Sequence, residues 1–128
     1  VVILAGTNDI AGNTGPMTTA QIFDNMVSMV ELAEANGIVP IVSSILPAAK
    51  YPWKPEVDSV GPILELNTML KYYCEGKGLV YLDYFSEMVD DVNGLPEALS
   101  YDGVHPTDEG YQVMEPLALA AIKEALKD

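Results

Sequence analysis

Arginine is absent from this sequence of 128 residues, and positive charge of any kind is scarce. Six lysines stand against 19 acidic residues, so the formal net charge is −13. A field of that sign repels nucleic acid and anionic lipid headgroups. Without arginine, the chain also lacks the planar side chain that grips phosphate with two parallel hydrogen bonds. We therefore expect neither a nucleic-acid partner nor a phosphate-reading site.

Cysteine, histidine and tryptophan each occur once, as Cys74, His105 and Trp53. A single cysteine excludes an internal disulfide and leaves the redox compartment, and with it the location of the protein, open. We interpret Cys74 as a small, buried apolar residue. Apolar runs long enough to span a bilayer are also lacking, so we expect no membrane insertion.

The sequence otherwise has the balance of one packed domain, with 49% hydrophobic and 20% charged residues. Segments 1–5, 38–44 and 79–84 are apolar enough to be strands that are buried on both faces. The segments between them predict helices over residues 18–36, 62–75 and from 107 to the end of the chain. Alternating strands and helices are typical of an α/β fold with a parallel sheet.

Helix signals support these three assignments. Thr18 and Gln21 are spaced as a capping box at the start of the first helix, and Gly37 follows its end. Pro116 lies well inside the third helix and predicts a kink there. The predicted inward faces are Ile22, Met26, Met29, Val30 and Ala33 in the first helix, Ile63, Leu66, Leu70, Tyr73 and Cys74 in the second, and Tyr111, Met114, Leu117, Ala121, Ile122 and Leu126 in the third.

Long loops follow the first two predicted strands, over residues 6–17 and 45–61. In open α/β sheets, ligands bind in the crevice beyond the carboxyl ends of the strands. The second loop is rich in proline and contains Tyr51 and Trp53, which we expect to line an acyl or sugar pocket. The alternative is that Trp53 packs over the base of its own loop.

The first loop opens with Gly6-Thr7-Asn8-Asp9. Glycine permits a sharp departure from the sheet, and the amide of Asn8 then becomes a donor at the mouth of the crevice. A developing oxyanion requires such a donor. Taken alone, however, these residues also fit an ordinary turn in which Asn and Asp bond their own backbone.

The segment Asp102-Gly103-Val104-His105-Pro106 precedes the last helix. Asp102 can bend back across the glycine to accept the Nδ1 proton of His105, which would leave Nε2 facing outward as a base. We expect this hydrogen bond, with His105 on the same rim as Asn8. An isolated pair of this spacing also fits a surface histidine beside an incidental aspartate.

Together the two segments resemble motifs of the SGNH or GDSL family of serine esterases and acylhydrolases. Gly-Thr-Asn-Asp is similar to block III of that family and Asp-Gly-Val-His-Pro to its block V, and the order of strands and helices agrees. The resemblance implies that His105 is the general base, that Asp102 orients it and that Asn8 is an oxyanion-hole donor. Gly6 belongs to the same block III and lets the substrate-binding loop turn.

The resemblance also implies the fold, a three-layer α/β/α sandwich with a parallel sheet in the flavodoxin-like order 2-1-3-4-5. Residues 1–128 would supply strands three to five of this single domain. The family's Gly-Asp-Ser motif and its block II glycine are not present. Ser43 and Ser44 end a strand at the right edge, but we assign them to the crevice wall or to backbone capping. We expect the chain to be the C-terminal part of the enzyme, without the N-terminal part that carries the nucleophile.

The resemblance implies a serine ester hydrolase that requires no metal or other cofactor. Small acyl esters such as acetylated sugars and lipid-like acyl esters both fit the family, and we expect a small acyl or acetyl ester. We expect the 128 residues alone to be inactive, and to associate with the N-terminal part or with a second copy of the chain. Two alternatives remain, a fragment without catalytic function and a flavodoxin-like binding domain. The acidic segment 87–91 is interpreted as a solvated face, with a cation site as the alternative.

Overall fold

A computed structural model describes residues 1–127, and its centre is a sheet of three parallel strands. The strands are β1 (Val2–Ile3), β2 (Ile41–Ser43) and β3 (Val80–Leu82), in the order β1-β2-β3. In the register, Val2 lies opposite Ile41, which lies opposite Val80. This arrangement confirms the predicted α/β fold with a parallel sheet.

Within residues 1–127, five helices connect or follow the strands. They are α1 (Thr7–Ile10), α2 (Thr19–Ala35), α3 (Val60–Lys77), α4 (Tyr84–Met88) and α5 (Asp108–Ala125). The three long helices confirm the sequence prediction, although α5 ends at Ala125 and the last residue predicted for it, Asp128, lies outside the described residues. The short helix α1 lies in the predicted loop 6–17, and α4 begins at Tyr84, the last residue of the predicted third strand. The capping box of α2 is present: Thr18 Oγ1 accepts from the backbone N–H of Gln21, and Gln21 Oε1 accepts from the backbone N–H of Thr18.

The helices cover both faces of the sheet and complete three layers. Met26 and Val30 of α2 and Leu70 and Cys74 of α3 pack with Val42 on one face. On the opposite face, α5 packs through Met114 and Ala121 against residues of β2, β3 and α4. A third cluster lies at the carboxyl ends of the strands, beneath the loops that follow β1 and β2. This third cluster supports the site described below.

Several predicted apolar positions are more exposed than the sequence suggested. Val1 and Leu4 are exposed because β1 pairs only with β2 within the described sheet. In α5, Tyr111 and Ile122 are exposed because each follows a buried residue by one position, and one residue turns a helix by about 100°. The other exposed members of the predicted strands and faces are Met29, Ile38, Val39 and Leu126. The helix α5 continues through Pro116.

The two serines at the end of β2 form backbone hydrogen bonds. Ser44 Oγ accepts from the Phe85 amide at 2.9 Å, and Ser43 Oγ donates to the Ser44 carbonyl at 2.9 Å. Both residues are fully buried. Of the two roles predicted from the sequence, crevice wall or backbone capping, these contacts fit the second. Among residues 1–127, no helix combines the length and the apolar composition needed to cross a lipid bilayer.

Candidate active site

Asp102 and His105 form one hydrogen-bonded unit on the loop before α5. His105 Nδ1 lies 2.6 Å from Asp102 Oδ2, as the sequence predicted. The other carboxylate oxygen, Oδ1, accepts the backbone amides of Val104 and His105, both at 2.8 Å. The loop is closed by Ser100, whose hydroxyl donates to the His105 carbonyl at 2.7 Å and accepts from the amide of Gly103. The local backbone therefore holds the carboxylate in one orientation against the ring.

The charge state of this pair follows from its hydrogen bonds. Partial burial opposes ionisation of Asp102, but hydrogen bonds from the amide and ring of His105 and from the amide of Val104 outweigh it, so the pKa of Asp102 lies well below its ordinary value of 3.8. An ionised carboxylate can only accept, so Nδ1 of His105 must carry the proton. Nε2 is then unprotonated in the neutral ring, and the His105 side chain is 60% exposed. The geometry presents a basic nitrogen to solvent.

Asn8 lies on the one-turn helix α1, directly after β1. Gly6 caps this helix with φ of 117°, a conformation that favours glycine. A side chain at Gly6 would also approach Ile45 Cδ1 to 2.9 Å. The Asn8 carboxamide is tied to the loop after α1, since Asn13 Nδ2 donates to Asn8 Oδ1 at 3.0 Å. The turn at Gly6 therefore aims Asn8 away from the core.

A pocket of about 430 Å³ brings Asn8 and His105 together. Its wall is formed by Thr7, Asn8, Asn13, Leu46, Trp53, Val104, His105 and Pro106. The pocket thus joins the loop after β1, the loop after β2 and the loop before α5, at the carboxyl ends of the strands. Asn8 and His105 lie on one rim, as expected.

Trp53 is the third predicted site residue that lines the pocket. Its ring centroid lies 6.2 Å from that of His105, and the ring also stacks on that of Tyr51, with the centroids 5.4 Å apart. Trp53 is 43% exposed, so part of its surface faces the pocket while part packs over its own loop. Trp53 thus lines the pocket and stacks on its own loop, and its contact with an acyl or sugar group stays a prediction.

Tyr51 and Gly6, the other two predicted substrate-binding residues, are not among the residues that line this pocket. Tyr51 is fully buried in the cluster at the strand ends, and burial raises its pKa to about 12. Its proline-rich loop folds the ring inward beneath Trp53 instead of holding it at the crevice. Gly6 is buried as well, and it contributes its backbone turn alone.

Asn67 is a structural residue that the sequence analysis missed. Its side chain on α3 accepts from the Ile45 amide at 2.7 Å and donates to the Ile45 carbonyl at 3.0 Å. These two hydrogen bonds replace strand pairing at the point where the chain leaves β2 for the pocket. The sequence does contain one indication of this role, because Asn67 places a polar side chain beside Leu66 on the apolar face of α3.

The acidic segment 87–91 has a structural role at Asp90. Asp90 Oδ1 accepts the backbone amides of Val92 and Gly94, at 2.9 and 2.7 Å, and so closes a turn. Within residues 1–127, no three His, Cys, Asp or Glu side chains are grouped so that they could hold a metal ion.

Comparisons with known proteins agree with this architecture. The family model of the GDSL-like Lipase/Acylhydrolase family matches residues 1–113. Among solved structures, a candidate acylhydrolase from Bacteroides fragilis is 46% identical, with a TM-score of 0.94, and a GDSL-like lipase from Bacteroides thetaiotaomicron is 42% identical, with a TM-score of 0.93. Both alignments cover 98% of this chain and 62% of the other.

A candidate lipolytic protein of the G-D-S-L family from Desulfitobacterium hafniense is 26% identical, with a TM-score of 0.73 over 94% of this chain and 63% of the other. No curated protein matches the sequence. The chain therefore spans somewhat less than two thirds of the solved structures that it resembles. From the family match and the shared fold, we conclude that the chain belongs to the GDSL-like lipase/acylhydrolase family.

Proposed function

We propose that the complete protein is a serine ester hydrolase and that this chain supplies its base, its orienting acid and one oxyanion donor. The observation that carries the proposal is the arrangement around one pocket. His105, which is hydrogen-bonded to Asp102, and Asn8 both line this pocket. A base and an amide donor that face one cavity can serve an acyl transfer, in which a proton moves and an oxyanion develops.

In the proposed reaction, a serine hydroxyl attacks the carbonyl carbon of the ester while His105 Nε2 removes the hydroxyl proton. The C=O bond opens to an oxyanion, which accepts a hydrogen bond from Asn8 Nδ2. As the carbonyl re-forms, the alcohol leaves with the proton from Nε2, and an acyl-serine remains. Water then attacks the acyl-serine while His105 Nε2 removes a proton from the water, and as the second oxyanion collapses the serine oxygen leaves with that proton and the carboxylic acid is released. The ionised Asp102 stabilises the imidazolium in both halves.

We propose that the nucleophilic serine comes from a part of the complete protein that precedes Val1. Two observations support this proposal. Ser43, Ser44 and Ser100 are buried and use their hydroxyls in backbone hydrogen bonds. The similar structures are also longer than this chain, which covers 62% of the first two. On this account the 128 residues alone hydrolyse nothing.

The pocket favours a small acyl ester. The part of the pocket that this chain forms has a volume of about 430 Å³, at the lower end of the range for small-molecule sites. Leu46, Trp53 and Pro106 provide an apolar wall, whereas Thr7 and Asn8 provide a polar one. We assign the exposed face of Trp53 to contact with the substrate. An acetyl or similarly short acyl group suits this volume better than a long lipid chain.

The test is hydrolysis of p-nitrophenyl esters of increasing acyl length by the complete protein. We expect the highest kcat/KM for acetate and a fall towards octanoate. His105→Ala should reduce kcat by about 10³-fold or more, because members of a catalytic triad act as a unit. Asn25→Ala, on the exposed side of α2, is the control and should leave kcat unchanged. Near-normal turnover by His105→Ala would overturn the proposal, and so would a failure of the complete protein to hydrolyse any ester.

A further inference from the structure

The Asn13 side chain holds the carboxamide of Asn8 in one of its two orientations. Asn13 Nδ2 donates to Asn8 Oδ1 at 3.0 Å, and the Asn13 backbone amide donates to the Asn8 carbonyl at 2.9 Å. Because Oδ1 of Asn8 is engaged, its Nδ2 is the end of the amide that is free to serve the pocket. Asn13 itself lines that pocket.

The orientation of the Asn8 carboxamide matters because one end of the group donates hydrogen bonds and the other accepts them. Nδ2 carries two donors, whereas Oδ1 carries lone pairs that would repel an oxyanion. Asn8 is exposed on a one-turn helix, so packing does little to fix its terminal torsion, which is broad for asparagine. The hydrogen bond from Asn13 is therefore the contact that distinguishes the two ends.

The loop that carries Asn13 is itself anchored to α1. Gly12 turns the chain back with φ of 75°, and its amide donates to the Asp9 carbonyl at 3.1 Å. The next residue, Thr14, donates from Oγ1 to Asp9 Oδ1 at 2.7 Å. Asn13 is thus held between two neighbours that are each bonded to the helix bearing Asn8.

We propose that Asn13 is a positioning residue of the active site, which acts on the reaction only through the orientation of Asn8. This inference rests on the proposed role of Asn8 as an oxyanion donor. It implies that Asn13 affects kcat and leaves KM for a small ester nearly unchanged, because the oxyanion exists only in the transition state.

The test compares Asn13→Ala and Asn13→Asp in the complete protein, with p-nitrophenyl acetate as substrate. Asn13→Ala removes the orienting bond, and we expect kcat to fall about 3-fold to 10-fold, the effect of one ordinary hydrogen bond. Asn13→Asp is nearly isosteric but can only accept, so it should draw Nδ2 of Asn8 away from the pocket. We expect a loss approaching that of Asn8→Ala, about 100-fold.

The same substitutions in an Asn8→Ala background separate this mechanism from a simple effect of charge. If Asn13 acts through Asn8, neither substitution lowers kcat further there. A persistent loss for Asn13→Asp in that background would show direct repulsion by the new carboxylate and would overturn the inference. Equal kcat for Asn13→Ala and wild type would overturn it as well. If instead Asn8→Ala itself retained full kcat, the proposed role of Asn8 would fail. Unfolding temperatures of all variants check that the fold is intact, with Asp24→Asn, an exposed substitution on α2, as the control.

Discussion

Replacement of Asp102 by asparagine is predicted to reverse the proton arrangement on His105. In the structure, Oδ1 of Asp102 accepts two backbone amides at 2.8 Å, whereas Oδ2 faces Nδ1 at 2.6 Å. In Asp102→Asn the remaining carbonyl oxygen must stay with the two amides, since an NH2 group there would leave both donors unpaired. The introduced NH2 group then faces Nδ1 of His105 and donates to it. The ring proton is displaced to Nε2, and the base is lost.

The expected loss is large although the shape of the side chain is preserved. A wrong imidazole tautomer in a Ser-His-Asp triad costs about 10⁴-fold in kcat, or about 5.4 kcal/mol of transition-state stabilisation. The assay is hydrolysis of p-nitrophenyl acetate by the complete protein, with unfolding temperature as the check on folding. Asp24→Asn, an exposed substitution on α2, is the matched control and should retain full activity. Loss of less than about 10-fold in Asp102→Asn would refute the argument from orientation.

Three further predictions concern stability. Because the pKa of Asp102 is lowered in the folded state, its ionised form stabilises the fold fully above about pH 5. The difference in unfolding temperature between wild type and Asp102→Asn should therefore shrink as the pH falls towards about 2. A difference that stays constant with pH would contradict this prediction. Gly6→Ala should lower the free energy of unfolding by about 1–3 kcal/mol, because φ is 117° and the new Cβ would lie 2.9 Å from Ile45 Cδ1. Gly37→Ala, where φ is also positive but no atom lies near the new Cβ, should lower it less when both variants are measured by chemical denaturation. Asn67→Ala should cost about 2–4 kcal/mol, because it leaves two buried backbone groups of Ile45 unpaired, and a loss below 1 kcal/mol would refute that role.

The fold was predictable because its signals are local and repeated. The apolar segments around Val2, Ile41 and Val80 form the three strands, and their parallel order follows from the intervening helices. The bounds of the strands were overestimated, since hydropathy does not show where pairing stops. The short helix α4 was missed, although Asp83 accepts from the Ser86 amide at 3.0 Å and is spaced as a helix cap.

The site was predictable only where its residues are close in sequence. Asp102 and His105 are three positions apart, so their hydrogen bond could be expected from the chain alone. The burial of Tyr51 could not be expected from the chain alone, because it depends on a cluster to which helices distant in sequence contribute. Asn67 was missed for the same reason, since its partner Ile45 lies 22 residues away.

The most direct test of the account is covalent labelling of the complete protein with a fluorophosphonate. An activated serine attacks the phosphorus atom and displaces fluoride, so the intact mass rises by one phosphonyl group. We predict one adduct per chain, on a serine that precedes Val1, and a rate of labelling that falls at least 100-fold in His105→Ala, because Nε2 removes the hydroxyl proton. No adduct, or labelling that is equally fast in His105→Ala, would contradict the assignment of this family member as a serine hydrolase with His105 as its base.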